Sequence, residues 1–422
     1  MSFNPEPAAR CVVVGGGPAG MMLSLLLARA GVPVSLLEAQ RDFERDFRGD
    51  MIHPSTLEVL DQLGLAEPLH RLPHTTMREL QFVSAGGVHC MADFRRLPTR
   101  FPYVMVMPQA RFLEFLAGEA ERYPAFRLVR GAAVRRLLQH DGIVRGVACE
   151  GPQFAGEVEA LQTVGADGRF SKVRRLAGVA ATSQGQPMEV IWFRLPRLPD
   201  DPADRALLYF APGRVVVLLG REHDWQIGCV VEPGRFTSMK SAGLEALHAS
   251  VAGAVDWLAG RMRELGDWRA VNVLRIEADR VVEWHRPGLL LLGDAAHAML
   301  PVGGIGLNCA VADAVEAANV LARPLLQGSV RPQHLVDVQR RREGMTASAQ
   351  RFQLVQHRAL RRALVATGPV TLPWPLRVLL RVPGLRDVPA RIMAFGVRRV
   401  RVCTPVAHGA PGHPAPTVNP DV

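Results

Sequence analysis

Three short stretches of this 422-residue chain combine glycine with a carboxylate in a way that suits a large phosphorylated ligand. The first, "GGGPAG", satisfies G-x-G-x-x-G through Gly15, Gly17 and Gly20. Gly15 permits a tight turn, Gly17 lets backbone amides approach a pyrophosphate, and Gly20 lets a helix pack closely on a strand. With Pro18 and Ala19 the stretch opens a helix, whose N-terminus offers free N–H groups and partial positive charge to phosphates. Glu38, followed by Ala39, ends the next strand 18 residues after Gly20, where an acid would bind ribose hydroxyls. An acid rather than an arginine disfavours a 2′-phosphate there, which leaves NAD or FAD. Asp167-Gly168 is the second stretch. The third is "GLLLLGDAAHAMLPVGGIGLN", residues 288–308, where four leucines precede Gly293-Asp294. Such a strand is buried on both faces. Its acid and nearly bare backbone either face a large polar ligand or form a bland strand-to-helix connection.

The elements that must position these residues follow from periodicity. "CVVVGGGPAGMMLSLLLARAGVPVSLLEA" predicts a strand over 12–14, a helix through Ala30 and a second strand over 32–37. The strand–turn–helix form recurs at 161–179 and at 288–322. Between them, "MEVIWFRLP", "ALLYFAPGRVVVLLG" and "DWQIGCVVEPG" predict an antiparallel sheet, with a helical stretch near 241–266. From Val336 the pattern is helical and rich in arginine, and "HGAPGHPAPTVNPDV" predicts a disordered tail.

Composition narrows the class. With 48% hydrophobic and 21% charged residues the chain is globular. The formal net charge is +10, yet Lys172 and Lys240 are the only lysines, and residues 351–422 carry eleven arginines against Asp387 and Asp421. The rest is nearly neutral, so a nucleic-acid groove is not expected. Six scattered cysteines show no metal spacing and predict reduced cytoplasmic thiols. No signal peptide and no transmembrane helix are expected.

The three motifs in this order resemble the class A flavoprotein monooxygenases, the para-hydroxybenzoate-hydroxylase-like aromatic hydroxylases, over roughly residues 10–400. The resemblance implies an α/β fold: a Rossmann-like, glutathione-reductase-type FAD domain with an inserted antiparallel β-sheet substrate domain and C-terminal helices. The implied bounds are 1–182 and 286–345 for the FAD domain, 183–285 for the substrate sheet, 346–402 for the helical segment and 403–422 for the tail. It also implies non-covalent FAD, with the ADP half on the first motif and Asp294 on the ribitol chain. Pro301, Gly304 and Gly306 would wrap the flavin ring, with Leu307 and Asn308 at its edge. Arg48, in "RDFRGDMIHPSTLEVLDQLGL", and Gln109, in "MPQARFLEFL", match flavin contacts. Asp167 and Gly168 would lie near the pyrophosphate and the nicotinamide donor. Only one dinucleotide fingerprint is present, so NAD(P)H as co-substrate is expected to dock transiently near Arg48, Asp167 and Arg169.

The resemblance implies insertion of one oxygen atom from O2 into a small aromatic or lipophilic substrate through a flavin C4a-hydroperoxide, with no side chain obliged to be catalytic. Substrate-pocket candidates are Trp192, Tyr209, Arg221, His223 and Trp225, with Met51 and His53 on the flavin side. His297 is expected to be a buried supporting residue and Asp313 a structural one. A flavin-dependent epoxidase or quinone-pathway ring hydroxylase stays open, as does a non-enzymatic flavin-binding regulator. A halogenase is not expected, because no lysine precedes Lys172 and "DWQIG" completes no tryptophan pair. The expected state is a monomer or homodimer. The C-terminal prolines favour helices packed on the flavin domain over a peripheral membrane contact.

Overall fold

The computed structural model describes residues 9–44, 50–152, 154–185 and 187–407. β1 (Ala9–Val14) leads through the glycine turn into α1 (Pro18–Arg29) and on to β2 (Val34–Glu38). Helix α1 is buried from Ala19 to Ala28, which explains why it is apolar all round: neither face meets water. Proline opens it, with its fixed φ and no N–H to strand, and Gly31 at φ +83° ends it in the left-handed conformation. Next come α2 (Gln109–Glu121), β3 (Phe126–Arg130), β4 (Gly156–Gly165) and β5 (Leu289–Leu291). The five strands pair in parallel in the order β5-β4-β1-β2-β3. Being covered on both faces, β1 from Cys11 to Val14 and β5 are wholly apolar, Cys-Val-Val-Val and Leu-Leu-Leu. All three carboxyl ends that carry the motifs therefore point to one edge of the sheet, where α/β folds bind ligands.

A second, seven-stranded sheet runs in the order 272–276, 188–196, 224–231, 214–220, 205–211, 79–84, 87–93. Its strands pair antiparallel except for Arg205–Ala211 with Glu79–Ser84, which are parallel. Two of its strands thus come from before residue 183, outside the range read from the sequence. Their segment, "ELQFVS" with "GVHCMAD", is half-buried and polar enough to hide its alternation. Side chains alternate strictly across this sheet. Ile191, Phe193 and Leu195 face outward onto the helices over 235–252, whereas Val190 and Trp192 face inward, in one cluster with Leu300 and Leu360.

Two long helices close the molecule, α3 (Gly306–Leu326) and α4 (Pro332–Val365). The segment Val302–Leu326 is long and apolar enough to cross a membrane by length and composition, but the 18-residue stretch that qualifies it is 67% buried here. Helix α4 runs through the 345/346 boundary expected from sequence, since no proline or glycine pair interrupts it there. Beyond it, Ala390, Met393 and Ala394 pack beside Met51 while Trp374, Val378, Val382, Leu385 and Val397 are exposed. The expected tail is not loose from its first residue. Cys403 N–H donates to Asn319 Oδ1 at 2.7 Å and Ala407 N–H to Arg29 O at 3.0 Å; residues 408–422 lie outside the described ones.

Candidate functional site

One cavity of about 510 Å3 runs from the glycine turn to the inner face of the seven-stranded sheet. At its first end the lining is mostly backbone. Gly15 has φ +103°, and a Cβ there would fall 2.5 Å from Ala166 O. A Cβ on Gly20 would fall 2.0 Å from Gly15 O, so Gly20 serves helix–strand contact and does not line the cavity. A Cβ on Gly17 would meet nothing within 4 Å, so the bare backbone there, with Pro18 and Ala19, faces open space. Glu38 is buried beside them. Its carboxylate accepts from Gly16 N–H and Gln40 N–H, both at 2.8 Å, and Ala39 lines the wall next to it.

Asp167 and Gly168 line the cavity too, but the Asp167 carboxylate is occupied. It accepts from the Ser171 hydroxyl and from the N–H groups of Lys172 (2.6 Å) and Val173 (3.0 Å), capping the short helix Lys172–Leu176. The next residue but one reaches across to the third motif. Arg169 Nε donates to Asp294 Oδ2 and Nη2 to Met299 O, both at 3.1 Å. Its Nη1 is buried with no hydrogen-bond partner among the described residues, a donor at the wall of a cavity whose contents would have to be an acceptor. Bare backbone, a helix N-terminus and an orphaned guanidinium N–H together fit a dinucleotide such as FAD.

The turn that carries Asp294 hangs on a buried ion cluster. Asp313, on α3, accepts from Gly293 N–H (3.1 Å), His297 Nε2 (2.6 Å) and Arg342 Nε (2.7 Å). All three side chains are buried, and His297 and Arg342 hold the Asp313 carboxyl below its usual range against its burial. After it, Pro301, Gly304, Gly306 and Leu307 line the cavity. Asn308 stands behind them as a connector. Its Oδ1 accepts from His53 N–H (2.9 Å) and the Thr56 hydroxyl (2.7 Å), while its Nδ2 donates to Gly304 O (3.2 Å) and Met51 O (3.3 Å). His53 is fully buried, its Nε2 3.0 Å from Gly303 O, and burial pushes it down to about 4, so it is neutral.

At the second end the lining is side chains: Asp50, Met51, Gln109, Trp192, Leu219, Gln226, Leu274 and Leu300. Of the residues singled out in sequence for this end, the structure brings Met51 and Trp192 to the cavity. Five others do not reach it: His53 braces the wall from behind, Arg221 lies beyond it, and three are turned away. Trp225 pairs with Leu195, which puts it on the outer face, and its Nε1 donates to Asp201 Oδ2 at 2.7 Å. Tyr209 packs in the same outer cluster and accepts from Trp257 Nε1 at 2.9 Å. His223 sits on a hairpin turn with 85% of its side chain exposed. For Trp225 and Tyr209 the cause is register: it decides which face of a strand a side chain takes, and composition does not reveal it. Arg221 lies one layer behind the wall, 3.7 Å from Asp50 Oδ2. Arg48 falls outside the described residues. Asp50 and Gln226 line this end too, and neither stands out in the sequence as a pocket residue. The signal for Asp50 was an acid set directly before the apolar Met51-Ile52.

The sequence pattern of the family described as "FAD binding domain" matches residues 8–353. The chain is 32% identical over 414 residues to 6-methylpretetramide 4-monooxygenase of Streptomyces rimosus, covering 95% of this chain and 97% of that one. It is also 32% identical over 317 residues to a 12-dehydrotetracycline 5-monooxygenase/anhydrotetracycline 6-monooxygenase of Streptomyces rimosus subsp. rimosus, covering 72% of this chain and 60% of that longer protein. Among solved structures, OxyS anhydrotetracycline hydroxylase from Streptomyces rimosus superposes with a TM-score of 0.70 at 26% identity, covering 91% of this chain and 75% of that one. The chain therefore belongs to the FAD-binding aromatic monooxygenases, enzymes that use FAD with NAD(P)H as reductant.

Proposed function

We propose that the enzyme hydroxylates a fused-ring phenolic compound bound between the glycine loop and the inner face of the seven-stranded sheet. The observation that carries this reading is the continuity of the cavity, from a backbone-lined phosphate end to an apolar slot walled by Trp192, Leu219 and Leu274. End-to-end similarity to a protein named for oxidising 6-methylpretetramide supports the substrate class. The parallel-sheet body is the proposed cofactor domain and the seven-stranded sheet the proposed substrate domain.

Within that reading each residue has a task. The turn at Gly15 and Gly17, with Pro18 and Ala19, holds a pyrophosphate on backbone N–H groups. Glu38 and Ala39 border the adenosine, and Asp294 with Arg169 holds the ribitol and phosphate link. Pro301, Gly304, Gly306 and Leu307 leave a flat space for the ring, braced from behind by Asn308 and His53. Asp167 acts through the turn it caps, and Gly168 presents backbone. When bound, FAD supplies NAD(P)H oxidation and the activation of O2. The chain's part is to exclude water and to hold the substrate ring in one plane beside Met51 and Trp192. A cytoplasmic setting is proposed as well, because all six cysteines are free thiols.

The test is a screen of hydroxylated naphthalenes, anthraquinones and tetracyclic phenols for stimulated NAD(P)H consumption, with mass analysis of the products. A product heavier by one oxygen atom supports the reading. Stimulation confined to single-ring or non-aromatic compounds would overturn it.

A further inference from the structure

We infer that the enzyme docks on an anionic lipid surface through the outer face of its C-terminal helices, centred on Trp374. This goes beyond the proposed reaction and does not depend on it.

The short helix α5 (Trp374–Leu379) has two unlike sides. Leu376 and Leu380, with Leu372 before them, pack inward in the cluster that holds Trp192 and Leu300. Trp374, Val378, Val382 and Leu385 point the other way, the tryptophan with 71% of its surface exposed. They recur at steps of four, four and three residues, the spacing of one helix face. The bonds Leu380 N–H to Leu376 O (3.0 Å) and Arg386 N–H to Val382 O (3.1 Å) carry the turns on past Leu379. Arg377 and Arg381 fall between the apolar residues and are exposed as well. The prolines do not break this face. Pro373 and Pro375 open the helix, where a missing N–H costs nothing, and Pro383 follows it. Helix α4 repeats the pattern. Leu354, Leu360 and Leu364 pack in the same inner cluster, while Val355 and Val365, each 62% exposed, alternate outward with Arg351, Arg358 and Arg362. Apolar residues grouped in this way on a surface mark a contact site.

Charge decides what covers it. Elsewhere exposed arginines meet carboxylates, as Arg95, Arg100, Arg122, Arg135 and Arg136 do. Residues 351–407 hold eleven arginines and a single acid, Asp387. That acid is already shared by Arg96 (3.1 Å) and Arg386 (4.0 Å). Arg351, Arg358, Arg362, Arg377 and Arg381 have no carboxylate partner among the described residues. A second copy of the chain is a poor cover, since a two-fold contact through this face would set arginines against arginines. A nucleic acid offers phosphates but no hydrocarbon for the valines. An anionic bilayer offers both, with phosphates at the depth of the guanidinium groups and acyl chain beneath them for Val378, Val382 and Leu385. Trp374 suits the boundary between the two. The docked face is one helix away from the cavity, because Trp192 and Leu300 of the inner cluster both line its wall.

The FAD-loaded enzyme is sedimented with vesicles of about three parts phosphatidylcholine to one of phosphatidylglycerol, and with phosphatidylcholine alone. It should follow the mixed vesicles at about 0.1 M salt, where charges act over about 10 Å, and leave them at about 1 M, where they act over about 3 Å. Phosphatidylcholine alone should carry down less than about a tenth as much. Trp374→Ser should weaken binding to the mixed vesicles by about tenfold, and Arg377→Gln with Arg381→Gln by roughly twentyfold. These side chains are exposed, so both variants should keep their flavin and their thermal midpoint. No binding to the mixed vesicles overturns the proposal, as does binding that is unchanged in both variants or equal on phosphatidylcholine alone. A dimer that Trp374→Ser splits would assign the face to a second copy. Soluble polyglutamate bound as tightly as the vesicles would assign it to an acidic protein. Either result overturns the lipid surface as the partner.

Discussion

The two ends of the cavity are built by different means. At the proposed phosphate end the exposed polar atoms are mostly backbone, and the side chains there are mostly absent or tied to the chain, as Glu38 and Asp167 are. At the sheet end the working atoms are side chains from separated stretches: Asp50 before a two-residue strand, Trp192 and Gln226 on paired strands, Leu274 on the next. A backbone site needs unusual φ values and close approaches, which only glycine tolerates, so it writes itself into a few adjacent letters. A side-chain site needs only that ordinary residues share a face.

The contrast can be attacked first at the support beneath the phosphate end. Asp313→Ala would leave Arg342 buried without its carboxylate partner and release the Gly293 N–H. A loss of about 3–5 kcal/mol is expected. Urea unfolding of the FAD-loaded enzyme measures it; a loss below about 1 kcal/mol would show that the turn does not depend on this cluster. Gly15→Ala comes next, at roughly 3 kcal/mol, because the new Cβ would be forced against Ala166 O in a left-handed conformation. The protein should purify colourless, and a yellow, fully loaded variant would mean that the glycine is dispensable.

How much was legible follows the same division. The β1–α1–β2 unit and the convergence of the three motifs on one cavity could be read because apolar runs and glycines are local signals. Hydrogen-bond geometry could not: Asp167 looked like a ligand contact, yet both its oxygens hold its own turn. Register defeated the reading of the sheet. Trp192 and Trp225 stand on neighbouring strands with similar surroundings in sequence, but they face opposite sides. The strands over 79–93 escaped because their partner in the sheet is more than a hundred residues away. Asp50 escaped because nothing near it in sequence reveals that Arg221 stands behind it.

Asp294→Ala probes the border between the two ends. It removes a charged acceptor that Arg169 partly occupies, so some of the carboxylate's capacity is already spent in the protein. FAD affinity should fall by about 1.5–3 kcal/mol, or tenfold and more. Flavin release during dialysis reads this directly, and an unchanged affinity would mark the strand end as structural.

The smallest effect is expected at the other end, and with the opposite sign. Asp50 titrates in the folded protein at about 6 against a reference of 3.8, because burial disfavours its charge. A carboxyl raised in this way binds its proton more tightly folded than unfolded, so its ionisation opposes folding. The opposition is complete above about pH 6, fades as pH falls through that value, and is gone below 3.8. Asparagine carries no charge and keeps the acceptor for Gln109 N–H. Asp50→Asn should therefore be more stable than the natural protein at pH 8, by roughly 1–2 kcal/mol, with the difference vanishing near pH 4. Thermal unfolding across that range is the measurement. Equal stability at pH 8 would mean that Arg221 and Arg194 already compensate the buried charge. A gain at pH 8 would place a destabilised side chain at the sheet end, where chemistry is expected, and stabilising ones at the phosphate end, where the cofactor only has to be held.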